Sequence, residues 1–138
     1  MESYWEEAKV DDQLMRIYVG LPDGSGSFPG VVVIQHQAGV DGFVHEMVRR
    51  IVGAAPDLYH RDGPDCTDGG RARKARLRDE TIIRDVGGCV QFLKRNELVG
   101  GKKLGIGGFC MGGRVSYLMA GANSDLKAAV VYYGGNLG

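Results

Sequence analysis

The stretch Val31 to Ile34 places four consecutive β-branched residues in a chain that is otherwise well mixed in polarity. Successive side chains on a strand point to opposite faces, so an uninterrupted apolar run is stable only when both faces are covered. That requirement predicts a central strand of a sheet flanked by helices, and the rest of the chain is read around it. At 138 residues, 43% hydrophobic and 25% charged, the sequence fits a single domain spanning 1–138.

Continuous apolar runs alternate with helical spacing along the chain, the pattern of an α/β fold. Met15, Ile17 and Val19 alternate with Arg16 and Tyr18, which predicts a half-buried strand near the sheet edge before a turn at Pro22 to Gly26. After the loop Gln35 to Val40, Asp41 is placed to cap a helix carrying Phe43, Met47 and Ile51 and ended by Gly53. A short strand around Ala54 and Ala55 stops at Pro56, which cannot donate to a ladder. A long helix is expected from about Ala72. Its apolar face holds Ile82, Ile83, Val86, Cys89, Val90 and Leu93, and its polar face Arg84 and Asp85. Leu104 to Phe109 reads as a strand, Val115, Leu118 and Met119 mark a helix, and Ala128 to Tyr132 reads as another buried strand. That order leaves the sheet unfinished at Gly138, so a C-terminally truncated domain is expected.

The formal charge is zero, which gives no general pull toward nucleic acid. No apolar run approaches the ~20 residues needed to span a bilayer, and the acidic start Met1 to Val10 lacks the make-up of a signal peptide, so a cytoplasmic protein without membrane contact is expected. Cys66, Cys89 and Cys110 are odd in number and widely separated, which favours reduced thiols over a disulfide framework or a metal knuckle. His45 and His60 belong to no short-spaced ligand pair and read as surface or loop histidines. The Arg71 to Arg78 run, followed by Asp79 and Glu80, reads as a solvated helix face rather than a nucleic-acid patch.

Gly108, Phe109, Cys110, Met111 and Gly112 form G-x-C-x-G, the thiol counterpart of the nucleophile elbow. A nucleophile on a sharp strand-to-helix turn needs strained backbone angles, and flanking glycines remove the crowding. The following helix turns free N–H groups and its positive end toward the thiol. An isolated match is more often a buried structural cysteine, but the expected strand before it, helix after it and central strand upstream favour the elbow. A dinucleotide fingerprint from Gly105 fails at Cys110, and a phosphate loop from Gly108 fails at Arg114 and Val115.

The stretches VVVIQHQAGVDGF, APDLYHR, LGIGGFCMGGRVSYL and AAVVYYGG together resemble the dienelactone hydrolase family over about Val31 to Gly135. The resemblance implies an α/β-hydrolase fold with a mostly parallel sheet flanked by helices. It also implies opening of lactones or small esters through an acyl-thioester, with a Cys-His-Asp triad and neither metal nor organic cofactor. By the same resemblance Cys110 is the nucleophile, and backbone N–H groups of Met111 and Gln37 form the oxyanion hole. Tyr59, Arg61 and Tyr132 are expected to flank a pocket for a small-molecule lactone or ester, with Arg71 and Arg73 as weaker candidates for a substrate carboxylate.

Three departures stand out. His36 replaces the glutamate that the family keeps beside its nucleophile, which makes it a candidate proton acceptor for Cys110 or an orienting residue of the loop. The spacing in VRRIVGAAPDLYHR is several residues short, which should truncate a helix or a strand. No histidine follows Cys110, and Asp125 precedes the Ala128 strand where the family acid follows a later one. The sequence therefore carries two readings, a cysteine-nucleophile hydrolase and a catalytically incomplete binding or redox-sensitive thiol module.

Overall fold

The computed structural model describes residues 2–24 and 26–135. A six-stranded sheet runs in the order β1-β2-β4-β3-β5-β6. Its strands are β1 (Glu2–Val10), β2 (Gln13–Leu21), β3 (Phe28–Ile34), β4 (Gly53–Pro56), β5 (Val99–Phe109) and β6 (Leu126–Tyr132). The helices are α1 (Gly42–Arg49), α2 (Gly70–Ala75), α3 (Asp79–Arg95) and α4 (Met111–Ala122). β1, β2 and β4 pair antiparallel in turn, while β4, β3, β5 and β6 run parallel. The Val31–Ile34 run lies in β3, between β4 and β5, as its apolar continuity requires.

The larger core lies on the face covered by α3 and α4. There Met15, Ile17, Val19, Val32 and Ile106 pack against Val86, Val90, Leu93, Val115 and Met119, all nearly or wholly without solvent contact. Across the sheet α1 seals a smaller cluster, with Val44 and Val48 against Tyr18, Val33 and Ala55. Among the described residues no helix is long and apolar enough to cross a membrane.

Several expectations need correction. The first strand is absent from the sequence reading, because Glu2, Glu6, Glu7 and Lys9 break any apolar alternation over residues 2–10, which form a strand by pairing with β2. Helix α1 buries Val44 and Val48, one position along from Phe43 and Met47, and it ends at Arg49, so Gly53 opens β4 instead of closing the helix. Asp41 does cap it, accepting the Val44 N–H at 3.2 Å. The shortened spacing leaves both elements brief, eight residues of helix and four of strand.

The long helix predicted from Ala72 is two helices, broken at Arg78, whose backbone is extended (φ −127, ψ 143). Arg73 of α2 and Arg76, just after its end, turn toward the loop before it: both hold Asp62, and Arg76 also meets Asp68. Asp85 is buried at 1% exposure rather than solvated, paired with Arg61 and His60. The His60 side chain is itself almost wholly enclosed, not a surface histidine. Finally, β6 is not a buried strand: after Leu126, residues 127–130 are exposed and so is Tyr132.

Candidate active site

Strand β5 stops at Phe109 and helix α4 starts at Met111, so the whole reversal falls on Cys110, at φ 56 and ψ −117. A side chain with a Cβ pays about 1–3 kcal/mol to hold such angles, and only a firmly packed surround sustains them. The surround is visible. Cys110 donates its N–H to the Tyr132 carbonyl at 3.0 Å, and its own carbonyl accepts the Arg114 N–H at 3.1 Å. A Cβ on Gly108 would sit 2.6 Å from the Gly112 carbonyl, and one on Gly112 would sit 2.6 Å from the Ile34 oxygen. The helix thus lies directly on the ends of β3 and β5, and the two glycines of the motif are required by contact.

The Cys110 thiol is exposed and opens on a cavity of about 370 Å³. Leu77, Asp79, Arg114 and Tyr133 share its walls. Arg114 and Asp79 were not singled out by the sequence, yet they form a bidentate pair, Nη1 to Oδ1 at 3.0 Å and Nη2 to Oδ2 at 3.2 Å. The guanidinium hydrogen bonds hold the Asp79 carboxyl below the ordinary aspartate value. Arg114 lies four residues after Cys110, one helical turn along the same face, and that spacing was the available signal. Nothing in the sequence marks Asp79.

The loop after β3 forms the second wall. Gln35 is fully buried, its amide oxygen accepting the Leu58 N–H at 2.8 Å, which ties the ends of β3 and β4 together. His36 Nε2 lies 2.9 Å from Asp41 Oδ2. Partial burial pushes the Asp41 carboxyl up, but the His36 and Val44 hydrogen bonds outweigh it and leave the group below its ordinary value. Among the described residues no hydrogen bond joins His36 to Cys110. The two sit at the ends of adjacent parallel strands, and the imidazole is engaged by the carboxylate.

Gln37 and Met111 are brought to one neighbour, Tyr59. Its hydroxyl donates to the Gln37 carbonyl at 2.7 Å and lies 4.0 Å from the Met111 sulfur. Gly70 presses its backbone on the same Gln37 carbonyl, too close for any side chain. Tyr59 is 4% exposed, so it is a brace beneath the loop rather than a surface offered to substrate. Arg61 is spent elsewhere, on Asp85 at 2.6 Å and Asp11 at 2.8 Å, and does not line the Cys110 cavity. Tyr132 stacks on Phe109 at 4.3 Å between ring centres, and the next residue, Tyr133, faces the cavity instead. Arg73 stacks over the Tyr59 ring while holding Asp62, whereas Arg71 is exposed. No group of three or more His, Cys, Asp or Glu able to hold a metal ion occurs among the described residues.

The family model described as "Dienelactone hydrolase family" matches residues 15–137. The chain belongs to the dienelactone hydrolase family. Relatives include a "Putative carboxymethylenebutenolidase" of Yersinia pestis, 34% identical over 131 residues, covering 85% of this chain and 48% of that protein. A protein of the same description from Methylorubrum extorquens is 30% identical over 135 residues, covering 91% of this chain and 46% of its own length. The chain thus spans about half the length of these curated relatives. Among solved structures, a "Putative Dienelactone Hydrolase" from Klebsiella pneumoniae superposes with a TM-score of 0.81 at 28% identity, over 97% of this chain and 61% of that one. A dienelactone hydrolase-like promiscuous phosphotriesterase from metagenomic libraries shares the fold, with a TM-score of 0.74 at 21% identity. The dienelactone hydrolase relationship therefore extends across nearly the whole chain.

Proposed function

We propose that this chain carries the nucleophile and oxyanion side of a hydrolase of lactones or small carboxylic esters. The Cys110 thiolate attacks the acyl carbon, and the carbonyl oxygen becomes an oxyanion held by the backbone N–H groups of Met111 and Gln37. Collapse expels the alcohol oxygen, which takes up the proton given up by the thiol and in a lactone stays tethered to the acyl group. Water then cleaves the thioester to carboxylate and free thiol. Donors aimed at developing charge are worth about 3 kcal/mol each in such steps. Brace contacts from Tyr59 to Gln37 and Met111 suit that task, because they fix both walls before substrate arrives.

His36, oriented by Asp41, is the candidate acceptor for the thiol proton, since a carboxylate-held imidazole is the usual arrangement of a general base. Arg114 and Tyr133 replace Arg61, Tyr59 and Tyr132 as the residues expected to meet substrate. The observation that carries the proposal is the exposed sulfur at a strained, positive-φ turn opening on a cavity. Hydrolysis of p-nitrophenyl acetate, with mass-spectrometric trapping of an acyl adduct, tests it. The adduct should form on Cys110 and vanish in Cys110→Ala; equal turnover by both proteins overturns the assignment.

A further inference from the structure

Arg61, Arg73 and Arg114 are each matched by a carboxylate of the chain itself. Arg61 is held by Asp85 and Asp11, and Arg73 by Asp62. Arg114, which shares the walls of the Cys110 cavity, presents both terminal nitrogens to the two oxygens of Asp79, at 3.0 and 3.2 Å. This is the fork-to-fork geometry with which a guanidinium grips a carboxylate ligand. The seat that an acidic substrate would take beside the sulfur is therefore filled by a residue of the protein.

Asp79 is well placed to keep that seat. It is the first residue of α3, where the helix end favours a negative charge. Helices α3 and α4 are anchored in one core, through Ile82 and Val86 of the first and Val115 and Met119 of the second. The carboxylate is thus tethered beside its partner at an effective concentration on the order of millimolar or more, which a free substrate carboxylate must exceed to displace it. Lys74 also lines the cavity, but it is exposed, and a solvated ammonium attracts anions weakly. Leu77 and Ile82 on the same walls favour apolar groups.

We propose that Asp79 is a specificity-determining residue that closes the Arg114 fork to anions, so that the Cys110 cavity admits uncharged acyl compounds in preference to carboxylate-bearing ones. As a statement about substrates it rests on the hydrolase reading; as a statement about the charge preference of the cavity it rests on the ion pair alone. If Asp79 merely tied α3 to α4, its loss would lower stability and leave the preference unmoved.

Alkylation of Cys110 reads the preference without turnover. Iodoacetamide is uncharged and iodoacetate is its carboxylate counterpart; with either, the thiolate forms a sulfur–carbon bond and expels iodide. The thiolate fraction multiplies both rates equally and cancels in the ratio of iodoacetate to iodoacetamide rates, followed at the Cys110 peptide by mass spectrometry. In the native chain this ratio should not exceed that of the same cysteine in the urea-unfolded chain. Asp79→Asn keeps the shape, removes the charge and should raise the ratio at least about fivefold, the scale of one unit charge a few ångströms away at a part-exposed site. Asp79→Glu should return it to the native value. Arg114→Gln leaves Asp79 unopposed and should lower the ratio at least about threefold, which keeps the test decisive if Asp79→Asn does not fold. A native ratio well above the unfolded one, or an unchanged ratio in either folded variant, overturns the proposal. On the same samples p-nitrophenyl butyrate should turn over faster than mono-p-nitrophenyl succinate, and Asp79→Asn should narrow the gap; faster turnover of the succinate by the native chain also overturns it. Shifted alkylation ratios with no turnover of either ester leave the charge preference standing and remove the hydrolase reading.

Discussion

The two margins of the sheet are built on opposite principles. At one, β1 exposes Glu2, Glu6, Glu7 and Lys9 along its length, and Arg16 of the next strand lies 3.9 Å over the Trp5 ring. Charged side chains on an edge make addition of another strand costly, so this margin ends the sheet. At the other, β6 offers alanine, valine and tyrosine to solvent. An edge's composition thus records how readily it accepts another strand, and among the described residues only the β1 edge is guarded by charge. The packing beneath agrees, since Met15, Ile17 and Val19 of β2 have no solvent contact whereas the outer face of β6 is bare.

The contrast can be broken by measuring how much each margin contributes. Met15→Ala empties a fully enclosed site and should cost about 3 kcal/mol in urea unfolding. A loss below about 1 kcal/mol would mean that the β2 side is loosely packed. A smaller effect is expected at His45, which stacks on Tyr18 at 4.0 Å and has a buried Nε2 without a hydrogen-bond partner. Burial, and then Arg49, hold this imidazole below its ordinary value of 6.5. The unfolded chain therefore protonates first as pH falls, so the stability of the neutral form is complete above that value and is lost as pH drops below it. Thermal melts at pH 7.5 and 5.5 should show a fall that His45→Phe reduces; identical falls would refute the role. The smallest effect belongs to β6, where Val130→Ala should change stability by no more than about 0.5 kcal/mol. A cost near that of Met15→Ala would erase the difference between the margins.

The parts of the fold that the sequence disclosed are those where local chemistry admits one solution. Four β-branched residues in a row require a central strand, Asp41 fits a helix start, and a glycine on either side of Cys110 fits only a tight reversal. The α3 face was legible because Ile82, Val86, Cys89, Val90 and Leu93 leave no alternative stripe. Helix α1 was read out of phase because Phe43 and Met47 have the same spacing as Val44 and Val48, and only docking decides between them. Asp85 and His60 look like ordinary polar residues until the fold brings Arg61 between Asp11 and α3. Tyr59 and Arg61 were assigned to substrate by motif, but a motif gives position along the chain and not the direction in which a side chain turns. The apolar run of β6 was read as a buried strand because a continuous apolar stretch does not show which faces are covered, and the structure leaves residues 127–130 and Tyr132 exposed.

The unusual dihedrals of Cys110 make reactivity more fragile than architecture. Its angles persist only while the Ile34 carbonyl of β3, the Tyr132 carbonyl of β6 and the Gly112 backbone of α4 crowd the bend from two strands and a helix at once. Loosening any one of these contacts would free the turn without requiring the core to open. The labelling rate of this exposed thiol should therefore change when the bend loosens, even where bulk measures of folding still read native.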